Sequence, residues 1–294
     1  MGIKTVCGVS MGGLPGETPT LLVGSMFYDR QKLVNDAATG KFDHATAKRL
    51  LDLQKKWSET TGNPACLDII ASTPEAMRHY LDFAIEHFDG PLMVDGSNAE
   101  VKIAGIRHLS ECGMNQRAIY NSISPETVDS ELEAIAACDI KTAVLLVVTS
   151  ADFSAAAKID LLTKTDGLIS KANDCGVQHC LVDPGVIDLP SIGTVKAVIA
   201  AAKELGCFAG TAPHNAIGTW SGLSTKLGAD FKPAATAVLN ALPVAWGADF
   251  VIYGPLSLAP VVFPAVAMVD VILSQALLEQ GKIPDSNHPM FKIA

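Results

Sequence analysis

Apolar runs of strand length recur along the chain, each followed by a turn and then by a stretch with helical spacing of its apolar residues. The runs are LLVGS (21–25), ACLDII (65–70), PLMVD (91–95), AIYNS (118–122), AVLLVV (143–148), HCLVD (179–183), CFAG (207–210) and DFVIYG (249–254). They are apolar throughout rather than alternating, which is the pattern of parallel strands covered on both faces. The intervening segments, such as HATAKRLLDLQKKWSETTG (44–62) and AEVKIAGIRHLSECG (99–113), are helical by period and by caps. Eight such units in 294 residues predict a closed (β/α)8 TIM barrel.

No linker rich in Pro, Gly or Ser interrupts the series, so residues 1–294 read as one domain. The first 19 residues, containing GVSMGGLPGETP, read as an N-terminal hairpin or flap that closes one end of the barrel. An open doubly wound sheet is the runner-up; it would want a glycine-rich phosphate loop after its first strand. The segment GSMFYDR offers neither GxGxxG nor a Walker pattern there. Three helix starts are legible. Thr73 and Pro74 open one, Ser97 with Glu100 three residues later reads as a capping box, and Ser124 with Pro125 reads as an N-cap and first turn.

The pattern also isolates polar residues where a buried strand should stay apolar. Asp68, Asp95, Asn121 and Asp183 lie in or at the ends of the second, third, fourth and sixth runs, and Asn215 follows the seventh in GTAPHNAIG. A carboxylate at the end of a buried strand is costly unless paired or used. In a barrel, moreover, the C-terminal strand ends form the active-site mouth. These five residues are therefore expected to converge there. Each also has a structural reading: Asp68 could bond loop amides, Asp183 before Pro184–Gly185 could shape an Asx turn, and His214 reads as a core histidine satisfied by backbone.

Composition narrows the function. The chain carries 49% hydrophobic residues, a formal charge of −9 and a pI near 5.2, with Lys and Arg scattered; nucleic acid and anionic lipid are poor partners for it. Seven cysteines without a CxxC pair and a start without a signal-peptide core point to a reducing cytoplasm. The apolar stretch 257–278 contains Pro260, Pro264 and Asp270, and reads as a helix buried on one side rather than a membrane span. No metal is expected at the mouth, because its motifs bring carboxylates and amides without histidines at helical spacing. A serine elbow is missing as well. Two aspartates and two asparagines are suited to gripping a flat heterocycle with several N–H donors, such as a pterin or a guanine.

Five blocks, GGLPGETPTLLVGSMFY, TGNPACLDIIASTPEAM, AIYNSIS, LVDPGVIDLPSIGT and GTAPHNAIGTW, occur in an order that resembles the H-subunit family of tetrahydromethanopterin S-methyltransferase. That family includes bacterial methyl-corrinoid:tetrahydrofolate methyltransferases. The blocks VDGSNAE, YNS and VDPG are similar, more distantly, to the pterin-binding barrel superfamily that includes dihydropteroate synthase. The resemblance implies a pterin in the barrel mouth and methyl transfer between a corrinoid and N5 of tetrahydrofolate, in demethylation of a substrate such as glycine betaine. It matches Asp183 to the carboxylate that takes the pterin 2-amino and N3–H edge, and Asn121 and Asp95 to the N1 and N8 side. Asn215 matches an asparagine near N5 and is the expected catalytic residue, while Asp68 is a weaker contact.

The synthase's strand-seven lysine and strand-eight arginine–histidine pair are replaced here by GTAPHN and YGPLS, so synthase activity is not implied. A corrinoid-binding DxHxxG signature is absent, so a partner protein is expected to carry the corrinoid. The resemblance further implies a homodimer. Competing readings are a non-catalytic pterin-binding subunit of a larger complex, and a Schiff-base lyase, for which no strand-end lysine is present.

Overall fold

The computed structural model describes residues 2–149 and 152–294. Eight parallel strands close on themselves: β1 (Leu21–Met26), β2 (Ala65–Ala71), β3 (Leu92–Gly96), β4 (Ala118–Ile123), β5 (Thr142–Leu146), β6 (His179–Asp183), β7 (Phe208–Thr211) and β8 (Phe250–Pro255). Every strand pairs with its sequence neighbours, and β8 pairs with β1 to complete the ring. Each coincides with one of the eight apolar runs to within two residues. The fold is the (β/α)8 barrel that the alternation predicts.

Strand residues alternate between two cores because successive side chains point to opposite faces. Leu21, Val23, Cys66, Met93, Ile119, Val144, Leu181, Phe208 and Phe250 fill the barrel interior. The other set, including Leu22, Leu67, Val94, Tyr120 and Tyr253, packs against the helices. With both faces buried, the strands need no polar alternation, which is why they read as continuous apolar runs.

The N-terminal hairpin is present as Lys4–Val6 and Val9–Met11, paired antiparallel. Val6 and Met11 are buried against the interior core, and the Cys7 thiol lies 3.7 Å from the Ala118 carbonyl and 3.5 Å from Thr142 Oγ1. Those two residues begin β4 and β5. The hairpin therefore plugs the N-terminal end of the barrel and leaves the opposite end open.

Helix His44–Thr61 is capped by Asp43, which accepts from the Thr46 amide, and it stops at Gly62 in the left-handed region. Thr73 caps Pro74–His87, as its sequence predicts. Two caps differ from expectation. Asn98, not Ser97, caps Ala99–Glu111 by accepting from the Val101 amide, because its shorter reach to the first turn outcompetes Ser97, whose hydroxyl donates to the Ser72 carbonyl. Ser124 and Pro125 form a turn closed by the Thr127 hydroxyl, and the helix starts only at Asp129, where Glu131 reaches back to the Val128 amide.

The long apolar helix Ala259–Glu279 buries Val262, Phe263, Val266 and Asp270 against the barrel while Met268 and Ile272 stay exposed. Its Asp270 accepts from the Thr20 amide, the Thr20 hydroxyl and the Asn63 amide side chain. A charge in that helix is thus compensated by three donors at the closed end.

Candidate functional site

The last inward-pointing residue of several strands is polar, and register brings these residues to one level. Asp95 on β3 pairs directly with Asn121 on β4, Leu146 on β5 with Asp183 on β6, and Ser25 on β1 with Asp68 on β2. Asp68 lies one inward position deeper than Asp95, since Ile70 rather than Asp68 stands opposite it. A cavity of about 380 Å³ opens above them, lined by Ser25, Tyr28, Asp68, Ile70, Asp95, Asn121, Ser122, Leu146, Asp183, Ala212, His214, Asn215, Ile252, Gly254 and Pro255. All five residues singled out from sequence are in this lining. No Lys or Arg is among the described residues that form it.

Asp183 is buried and ends β6, where its Oδ1 accepts from the Gly185 amide at 2.8 Å and from the Thr211 hydroxyl at 2.9 Å. The Gly185 bond is an Asx turn, so the structural and cavity-lining readings of Asp183 hold together. Gly185 has φ +68°, and a Cβ there would lie 1.9 Å from Val148 Cγ2, which ties the turn to glycine. Burial pushes the Asp183 carboxyl up, opposed by these hydrogen bonds and by the Lys158 charge. Lys158 is itself fully buried behind the loop, donating to the Gly185 carbonyl at 3.4 Å and the Thr194 hydroxyl at 3.2 Å.

Asp68 accepts from the Ser25 hydroxyl at 2.8 Å rather than from loop amides. Its Oδ1 is buried and receives no hydrogen bond of good geometry from the described residues, although the Asn121 side chain favours its charged form. Burial, with the neighbouring Asp95 charge, pushes Asp68 up to about 8. Asp95, pushed to about 6 by burial, is held down in part by Lys102 and the Gly96 amide. Two carboxyls this close cannot both ionise easily, so one proton stays with the pair near neutral pH. Lys102 is anchored behind them by Glu131 at 2.7 Å, which also accepts from the Tyr120 hydroxyl.

Asn215 is not at the strand end. β7 stops at Thr211, and Asn215 sits in the first turn of the short helix His214–Thr219, exposed at the cavity rim. His214 is not the backbone-satisfied histidine that the sequence suggests: its Nδ1 is buried without a partner, and burial holds its pKa down, so the ring is neutral. The ring fits against Gly254 (φ +81°), where a Cβ would come within 2.5 Å of it. Sequence reasoning missed Ser25, Thr211, Lys102 and Lys158. The first two are ordinary strand residues, and the lysines lie in amphipathic helices where lysine is expected at the surface.

The family model described as the tetrahydromethanopterin S-methyltransferase MtrH subunit matches residues 2–283. The H subunit of tetrahydromethanopterin S-methyltransferase from Methanosarcina acetivorans is 36% identical over 306 residues, covering 99% of this chain and 97% of that protein. The H subunit of the mtx methyltransferase of Methanosarcina barkeri is 35% identical over 299 residues, covering 98% of this chain and 96% of that one. Among solved structures, Yersinia pestis dihydropteroate synthase with a pterine-sulfa conjugate superposes with a TM-score of 0.62 at 14% identity, covering 96% of this chain and 100% of the other. That likeness is one of fold. The identity and coverage of the relatives, together with a match along nearly the whole chain, place this protein in the MtrH family of tetrahydromethanopterin S-methyltransferase subunits.

Proposed function

We propose that this chain is a cytoplasmic methyltransferase that moves a methyl group from a methyl-corrinoid, carried by a partner protein, to N5 of tetrahydrofolate bound in the barrel mouth. The observation that carries the proposal is the lining itself: Asp95, Asn121, Asp183 and the half-protonated Asp68 around a cavity of pterin dimensions, without a Lys or Arg among the described lining residues. Membership of a methyltransferase subunit family supplies the reaction class. A buried carboxylate fixed from behind accepts two parallel N–H bonds from an amidine-like edge, and this is the role we assign to Asp183. Asp95 and Asn121, level with one another, take the N1 and N8 side. The orphaned Asp68 Oδ1 fits a further polar atom of the ring or a bridging water.

The corrinoid supplies the methyl group as an electrophile. N5 gains it and must lose its proton, so this chain's work is to hold the ring in a near-attack geometry and to follow that proton. Asn215, at the rim, is the group we assign to N5, because an amide can accept from N5–H before transfer and donate to its lone pair in the reverse direction. The absence of lysine from the described lining argues against a Schiff-base lyase.

Mixing the purified protein anaerobically with methylcobalamin and either tetrahydrofolate or tetrahydromethanopterin tests the reading. Formation of 5-methyltetrahydrofolate is the expected result. Pterin binding without turnover would favour the second reading, to which the relatives' being subunits lends weight: a pterin-holding chain that needs further chains. Failure to bind either pterin would overturn both.

A further inference from the structure

The helices Pro74–His87 and Ala99–Glu111 pack side by side, and near their C-terminal ends three donor side chains meet. These ends face the closed, N-terminal end of the barrel, away from the pterin cavity. His108 and Cys112 are four residues apart and so share one helical face; Asp82 reaches them from the neighbouring helix. His108 Nε2 is 2.6 Å from Asp82 Oδ1 and 3.9 Å from the Cys112 sulfur, and one donor atom from each residue lies within 4.8 Å of the others. Of the seven cysteines, all free, Cys112 is the exposed one.

Both contacts fall on the same ring nitrogen. A Cys–His–Asp relay needs the sulfur on one nitrogen and the carboxylate on the other, so this trio cannot work as one. Three different donors crowded round a single point suit a cation instead. We propose that Asp82, His108 and Cys112 form a binding site for one thiophilic divalent cation, with Zn²⁺ the best match, that ties the second and third helices of the barrel together.

With bonds of about 2.0 Å to N and O and about 2.3 Å to S, a tetrahedral zinc sets N and O about 3.3 Å apart and N and S about 3.6 Å apart. The N to S spacing of 3.9 Å is already close to that. The N to O spacing must widen from its present hydrogen bond by about 0.7 Å, which the exposed Asp82 side chain can provide by rotation. Thiolate and imidazole donors favour Zn²⁺ over the hard cations Mg²⁺ and Ca²⁺. On binding, the thiol proton leaves to solvent and the neutral imidazole keeps its proton on Nδ1 while Nε2 takes the metal. Three protein donors leave the fourth position to water, and His108 also borders a surface cavity with Arg78 and Glu111, which keeps that position open.

The full chain, stripped of metal and kept reduced with a phosphine, is titrated with Zn²⁺ by calorimetry and with Co²⁺ by absorption. One equivalent should bind, with a thiolate-to-cobalt charge-transfer band that disappears in Cys112→Ser. Asp82→Asn and His108→Asn should each weaken Zn²⁺ binding at least tenfold, and zinc should raise the melting temperature of the parent protein but not of Cys112→Ser. Zn²⁺ affinity in Cys112→Ser equal to that of the parent, or a charge-transfer band that survives the substitution, would overturn the assignment. None of these readouts involves pterin or methyl transfer, so their failure leaves the proposed function where it stands.

Discussion

Asp183→Asn is the sharpest test of the mouth. The carboxylate is held by two donors on the same oxygen, the Gly185 amide at 2.8 Å and the Thr211 hydroxyl at 2.9 Å. An asparagine of the same shape must keep its carbonyl oxygen in that position, since its NH₂ there would face the Gly185 N–H. The NH₂ is thereby turned toward the ligand, and a donor meets the N–H donors of the pterin edge. Two charge-assisted hydrogen bonds are lost at about 1.5–3 kcal/mol each. The total of roughly 3–6 kcal/mol corresponds to a weakening of about 100-fold to 10,000-fold in Kd. The fold should tolerate the change, because the Asx turn keeps its acceptor. Anaerobic calorimetric titration with tetrahydrofolate measures the loss, and the melting temperature serves as the control. Asp183→Asn that binds within about tenfold of the parent would refute the assignment of Asp183 to the N–H edge.

Two further predictions concern the proton held at the mouth and the backbone beside it. Asp68 and Asp95 are pushed up to about 8 and about 6, above their values of about 4 in an unfolded chain. The folded state therefore keeps protons that the unfolded state has released. Their contribution to stability is full below the unfolded value and is lost as pH rises through about 6 and then about 8. Denaturant midpoints of the ligand-free protein should fall across that window, and Asp68→Asn should flatten the fall; a midpoint that climbs with pH there would contradict the assigned burial. Gly254→Ala puts a methyl into a left-handed residue (φ +81°) and within 2.5 Å of the His214 ring, so stability should drop by at least about 1–2 kcal/mol and tetrahydrofolate binding should weaken as His214 is displaced. Unchanged denaturation and binding would show that the ring moves aside freely.

The period of the hydrophobic pattern carried most of the architecture. Parallel strands buried on both faces must be apolar at every position, and helices that cover them must be apolar on one side. A chain that alternates these eight times has few other ways to hide its apolar surface, so strand number, order and closure were legible in the pattern alone. The same logic exposed Asp68, Asp95, Asn121 and Asp183, because a polar residue in such a run conflicts with its surroundings. Local chemistry was less decisive where neighbours compete for one role. Asn98 and Ser97 both suit an N-cap, and the choice turned on where the backbone leaves β3.

Other features depend on distance across the fold and have no trace in a single segment. Asp68 lies one inward position below Asp95, and only strand register sets that stagger and the shared proton that follows from it. Lys158 looks like a surface lysine in its own helix, yet packing buries it behind Gly185. His108 and Cys112 advertise a pair of donors four residues apart, but Asp82, 26 residues earlier, joins them only because two helices lie side by side. Sequence periodicity determines which faces are buried, since that follows from local geometry. Which polar atoms then meet is decided by how those faces are stacked.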